Sequence, residues 1–231
     1  MVINDRNRFI FVHIPKTAGS SIMAALAELP GNNLRWLAET KHEPLAAFRT
    51  AWRTRRDWRD RLLFRTPRRY WTFAFVRNPW DRVSSYYRYL KEQRPTERAD
   101  EVHSFADFLE MAADGVPWIR ERHAMRPQTD FFTLVDRRDA RLSVNFLGHY
   151  EHLIEDLETI TKRLSIAIKL PQTNASSNAR SDYREQFTPR MIDQVTKLYG
   201  AEARLFGYTP DLRAPQQRVS GPIDVPPPKT L

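Results

Sequence analysis

The sequence predicts an α/β fold of three layers, with a central, mostly parallel sheet flanked by helices. Three observations carry that expectation. Short apolar runs rich in aromatic and β-branched residues recur, RFIFVHI at residues 8–14 and WTFAFV at Trp71–Val76 among them. Each run passes through a short turn into a stretch with helical periodicity. Strand-like and helix-like segments then alternate along the chain, which implies crossover helices joining parallel strands.

Taken in order, residues 8–14 read as a buried strand and SSIMAALAEL at residues 20–29 as a helix stopped by Pro30 and Gly31. Residues 48–63 read as a helix with Phe48, Trp52 and Leu62 among its apolar positions and many Arg between them. It suits an amphipathic helix with a basic outer face, or a helix that meets nucleic acid. Trp71–Val76 is a second buried strand, and residues 81–90 a helix carrying several Tyr. Ser104 to Asp107 has the form of a capping box opening another helix. Residues 131–135 and 145–150 read as further short strands, and 155–164 as a helix. Thr188 and Pro189 carry an N-cap and first-turn signature before a helix with Met191, Val195 and Leu198 on one face. Residues 1–209 are expected to form one domain, and the Pro-rich residues 210–231 an extended tail.

The chain has 231 residues, 41% of them hydrophobic, which suits a globular protein with a real core. Its formal charge of +9 is either a solvated surface or the mark of an anionic partner: nucleic acid, a polyanion or a phosphate-rich cofactor. The absence of Cys excludes disulfides, thiolate catalysis and cysteine zinc sites. The N-terminal MVINDRNR has no signal-peptide core, and no apolar run is long enough to span a membrane. A cytoplasmic enzyme is the expected placement.

FVHIPKTAGSS, residues 11–21, runs from strand through loop to helix. Such a junction binds anions, because the first N–H groups of a helix lack internal partners and its dipole is positive there. Gly19 permits close backbone approach, Thr17, Ser20 and Ser21 add hydroxyls, and Lys16 adds a charge. The loop is P-loop-like, yet it does not match the nucleoside-triphosphate pattern, where Lys follows the second Gly. Here Lys16 precedes Gly19 and no first Gly is present. WTFAFV leads into Arg77 rather than the Asp of a magnesium site, which disfavours an ordinary P-loop kinase. FAFVRNPWDRVSSYY, residues 73–87, repeats the strand–turn–helix arrangement, with Arg77 at the strand end and Ser85 within the helix. Two strand-end anion sites suit a ligand with two separated phosphate groups.

HIPKTAGSS followed by FVRNPWDRVSSYY resembles the sulfotransferase superfamily, in particular the branch of carbohydrate sulfotransferases of the uronosyl 2-O and HNK-1 type and bacterial relatives. GHYEHLIEDL at residues 148–157, Tyr183 within SDYREQFTP, and LFGY at residues 205–208 extend the resemblance from about residue 8 to 210. It implies 3′-phosphoadenosine 5′-phosphosulfate (PAPS) as sulfuryl donor, the bisphosphate PAP as product, and no metal. By the same resemblance Lys16, Thr17, Ala18, Gly19, Ser20 and Ser21 hold the 5′-phosphosulfate, with Lys16 stabilising the leaving phosphate. Arg77 and Ser85 grip the 3′-phosphate, and Arg180 and Tyr183 belong to a loop closing over the nucleotide.

A hydroxyl acceptor benefits from a general base. His42 stands in the region where related carbohydrate enzymes carry their catalytic His, so it is the first candidate. His13 is the second, although its place in a strand suits a buried structural role. His103, His123, His149 and His152 are weaker, and Glu39 and Glu43 stay open as acidic bases. Trp80 and Asp81 are expected to be structural, and Glu151 is expected to order a neighbouring loop, with no chemical role assigned to it. The acceptor is a hydroxylated molecule, with an anionic glycan favoured if the Arg-rich residues 49–69 contact it; a small molecule or lipid fits too. The lack of an N-terminal anchor suggests a soluble, bacterial-type enzyme and no membrane span. Two rival readings remain open: a noncatalytic nucleotide- or RNA-binding protein, and an atypical P-loop kinase.

Overall fold

The computed structural model describes residues 1–32, 42–55, 69–93, 98–135, 140–142, 144–170 and 182–211. They fall into two compact units, one drawing on Met1–Val76 and Gln128–Ala175, the other on Arg77–Pro127 and Ser176–Val219. Among the described residues the secondary structure is α/β, with seven α-helices and a four-stranded, mostly parallel sheet.

The first unit holds the sheet, in the order β1 (Val2–Asn4), β2 (Phe9–Val12), β3 (Trp71–Val76) and β6 (Phe146–His149). β2 and β3 run parallel with Phe9 opposite Trp71, and β3 and β6 run parallel with Val76 opposite His149. Their continuous apolar runs reflect burial on both faces: all four residues of β2 are fully buried. β1 is antiparallel to β2, with Val2 opposite Phe11. A separate hairpin pairs β4 (Thr133–Val135) with β5 (Ala140–Leu142). The region read as a strand at residues 131–135 therefore starts later, because Gln128–Phe131 closes into a 3₁₀ turn.

One sheet face is packed by Phe9, Phe11, Phe73 and Phe75. Ile22 and Leu26 of helix α1 (Gly19–Ala27) and Leu157 and Ile160 of a later helix, Leu153–Leu164, join that core. Their spacing of four or three keeps each pair on one helical face. Pro30 and Gly31 do follow α1, but an Asn pair finishes it. The Asn32 amide donates to the Leu26 carbonyl at 2.9 Å and the Ala27 carbonyl at 3.2 Å. The buried Asn4 amide in turn donates to Asn32 Oδ1 at 2.9 Å and the Pro30 carbonyl at 3.1 Å. Helix α2 (Leu45–Arg55) buries Leu45 and Phe48. It begins three residues earlier than its sequence pattern suggests, and residues 56–63 of that pattern lie outside the described residues.

The second unit is helical: α3 (Pro79–Gln93), α4 (Phe105–Ala113), α5 (Pro117–Arg120) and α7 (Pro189–Leu205), the helix Leu153–Leu164 of the first unit being α6. Ser104 caps α4 by accepting from the Asp107 N–H at 3.0 Å, while the Asp107 carboxylate accepts from the His103 N–H at 2.8 Å. Thr188 caps α7 by accepting from the Met191 N–H at 3.4 Å. The centre of this unit is Arg82, fully buried on α3. It donates to the carbonyls of Ala124 at 3.0 Å and Arg126 at 2.9 Å, and lies 5.3 Å above the Tyr199 ring. Glu202, 3.8 Å away and also buried, balances its charge.

Candidate functional site

Residues 14–19 form the first candidate site, in the first unit. Lys16 and Ala18 both adopt left-handed backbone conformations, with φ of 70° and 62°. Neither is Gly, so each is held against a penalty on the order of 1–3 kcal/mol, and such residues gather where function needs them. The Thr17 hydroxyl donates to the Ile14 carbonyl at 3.0 Å and is buried, so its role is to close the turn on itself. Alternation of backbone hand in a tight turn gathers N–H groups on its concave side, the geometry of anion-binding nests.

Helix α1 begins directly after that turn. Ala18 is its N-cap residue, without a side-chain cap bond, and no acidic residue occupies its first turn. A Ser cap is therefore not what starts this helix. Its own first turn carries no carboxylate, and Lys16, half-buried, adds positive charge. Ser20 is exposed on the first turn and Ser21 buried behind it.

Gly19 has a reason that the sequence did not disclose. A Cβ at this position would lie 1.8 Å from Cδ2 and 2.1 Å from Nε2 of His13. The approach that Gly permits here is thus that of the His13 ring. His13 is buried, and its ring centroid lies 4.3 Å from that of His42. His42 Nδ1 sits 3.4 Å from the His13 carbonyl. The two histidines from the sequence shortlist are consequently neighbours, and both belong to the loop region. Glu43 is buried beside the Met1 amine, whose burial pushes its pKa down to about 5 while Glu43 opposes the shift. Glu39 lies outside the described residues.

The second motif begins on β3 in the first unit, and its residues from Arg77 onward belong to the second. Arg77 is buried, and its Nε donates to Asp81 at 2.7 Å, one helical turn on. Asn78 accepts from the Trp80 N–H at 3.0 Å, and its carbonyl accepts from the Arg82 N–H at 2.8 Å. Asn78 is thus the N-cap and Pro79 the first helical residue, which moves the start of α3 two residues ahead of its sequence pattern. Asp81, in the first turn, satisfies both the Arg77 guanidinium and the helix dipole. Trp80 is fully buried, with its indole N–H toward the Ile192 carbonyl at 3.4 Å. Both residues are structural in this sense. Ser85 is half-buried farther along α3. Tyr183 opens the 3₁₀ turn Tyr183–Gln186, which packs against α3 and is capped by the Asp182 side chain accepting from the Arg184 N–H. Arg180 lies outside the described residues.

The remaining histidines stand elsewhere. His149 ends β6, and its N–H donates to the buried Asp156 carboxylate at 2.7 Å, which fixes the turn into α6. His152 pairs with Glu155 at 3.5 Å on the surface. His103 precedes α4, and burial holds the His123 pKa below its usual value, with Arg126 adding to the shift. Asn78 and Asp156 are the structural residues that sequence reading passed over. The Asn-Pro pair was a usable signal; the Asp156 contact, seven residues away, was not. Among the described residues no cluster of three or more His, Cys, Asp or Glu could hold a metal, and no helix is long and apolar enough to cross a membrane.

A protein of Archaeoglobus fulgidus, described only as an uncharacterized protein, is 30% identical over 118 residues, half of this chain and 84% of its own. No solved structure matches the sequence. The family model for the sulfotransferase family matches residues 1–209, nearly the whole chain and both motifs, and the protein therefore belongs to that family of sulfotransferases.

Proposed function

We propose that this sulfotransferase takes its sulfuryl group from PAPS and passes it to a hydroxyl of a glycan or another small acceptor by in-line displacement. The observation that carries the reading is the residue 14–19 turn: two strained non-Gly residues, one of them Lys16, leading into a helix that starts without a side-chain cap or an acidic first turn. This chain's residues fit a sulfated nucleotide there, since Lys16 brings a cation to the turn and the concave side of the turn favours oxyanions.

PAPS supplies an activated sulfuryl group: the acceptor oxygen bonds to sulfur as the bond from sulfur to the 5′-phosphate oxygen breaks. Lys16 and the first N–H groups of α1 stabilise the negative charge that grows on that leaving oxygen. Because they are already in place, they favour the transition state over the ground state. Thr17 shapes the loop, and Ser20 and Ser21 add hydroxyls. Arg77, held by Asp81, is assigned to the 3′-phosphate with Ser85, and Tyr183 with Arg180 to the nucleotide. His42 is assigned as the base that accepts the hydroxyl proton.

Calorimetry with PAP tests the reading directly. Tight, magnesium-independent binding is expected, and binding of magnesium-ATP in preference to PAP would overturn it. Replacement Lys16→Ala should lower label transfer from sulfur-labelled PAPS to a pooled hydroxylated glycan mixture by roughly 10²–10³-fold, the usual effect of losing one preplaced transition-state donor.

A further inference from the structure

We propose that His13 is a positioning residue that ties the phosphate loop to His42, and that its carbonyl selects which His42 nitrogen takes the acceptor proton. The inference rests on the sulfuryl-transfer reading and deepens it. One side chain meets both parts of the machinery. The His13 ring fills the space over Gly19, at the start of α1, where a Cβ would lie 1.8 Å from Cδ2. The same ring lies 4.3 Å from the His42 ring, centroid to centroid, and stacks on Phe11 at 6.1 Å. Because His13 is buried and backed by a core aromatic, it cannot swing aside without disturbing the sheet. A shift of His13 would therefore move the loop and the base together.

The carbonyl adds chemical direction. A carbonyl oxygen only accepts, so the 3.4 Å contact with His42 Nδ1 is a hydrogen bond only when Nδ1 carries the hydrogen, and the contact favours that tautomer. In neutral imidazole that leaves the lone pair on Nε2, which becomes the basic nitrogen. Proton transfer from the acceptor hydroxyl then forms an Nε2–H bond while the Nδ1–H bond to His13 persists, and the resulting cation keeps a hydrogen-bond acceptor at its far nitrogen. Free histidine in water favours the other tautomer, so the Nδ1–H form is a signature of this contact.

The first test is a proton–nitrogen correlation spectrum of the full chain grown with isotope-labelled histidine, with His42 assigned by its loss in His42→Ala. A neutral His42 protonated at Nδ1 is expected. A neutral His42 protonated at Nε2, or an average of the two, would overturn the carbonyl's role. The second test compares two side-chain variants, both of which retain the His13 carbonyl. His13→Ala should lower transfer from labelled PAPS to the pooled glycan mixture by about 100-fold, as misplacement of a reacting group does, while His13→Asn, planar and unable to titrate, should stay within about 10-fold of the parent. Unchanged transfer in the Ala variant, or an Asn variant as poor as Ala, would overturn the positioning role. If the Ala variant does not fold, the Asn variant and the spectrum of the unaltered protein decide. A protein that fails to bind PAP defeats the sulfuryl-transfer reading, whereas the tautomer stands or falls by the spectrum alone.

Discussion

At Gly19 a hydrogen stands where a methyl group would overlap the His13 ring. The two positions, six residues apart, are therefore one packing unit. Gly19→Ala should destabilise the protein by about 1–3 kcal/mol through overpacking. His13→Ala should destabilise it too, through the space left behind. The double variant should lose less than the sum of the two, because the new methyl then enters the vacated space. Urea unfolding of the four proteins checks this, and strictly additive costs would show that the two side chains do not compete for space. Neither histidine contact was legible in the sequence. A strand-end His and a loop His 29 residues later carry no shared pattern, and packing contacts of this kind exist only once the chain has folded.

The two strand–loop–helix elements share a sequence outline and differ in chemistry. α1 starts with no side-chain cap and no carboxylate in its first turn, so its N-terminus suits an external anion. α3 starts with its own cap, Asn78, and its own carboxylate, Asp81, which also holds Arg77. Here the phosphate contact in the proposed reading falls to the Arg side chain and not to the helix N-terminus. Asn78→Ala should lower stability by about 1 kcal/mol, as loss of a helix cap usually does, with the shift read from the urea midpoint. The elements themselves were largely legible. Trp71–Val76 spans six apolar or β-branched residues, and its strand ends where that run ends. The three-residue edge strand Val2–Asn4 was not legible, because it lies among charged residues and owes its form to pairing with β2. The helix read from residue 81 starts two residues earlier because Pro79, with its φ already helical, serves as a first-turn residue.

For the molecule as a whole, stability should depend on alkaline pH through one buried phenol. The Tyr199 hydroxyl donates to the Met125 carbonyl at 2.7 Å, and burial pushes its pKa up from 10.0 to about 12. The folded state thus holds this proton more tightly than the unfolded state does. The associated stability is complete below pH 10.0 and is lost as pH rises toward about 12. The slope approaches 1.4 kcal/mol, roughly, per pH unit. Tyr199→Phe should remove this slope, which urea midpoints measured across that range would reveal. At this scale, the alternation of strands and helices foretold a parallel sheet. The division into two compact units was not foretold, because no linker-like composition separates Val76 from Arg77. The Asn4–Asn32 pair has a consequence in time. It closes β1, β2 and α1 into a segment whose ends are 28 residues apart, and short closures form quickly. This segment contains the whole Lys16 loop. In pulse-labelled hydrogen exchange during refolding, the amides of Ile22 to Leu26 should gain protection before those of β3. Protection of β3 first would reverse the order. On this schedule the loop proposed to hold the sulfated nucleotide is built before the strand that leads to Arg77 is in place.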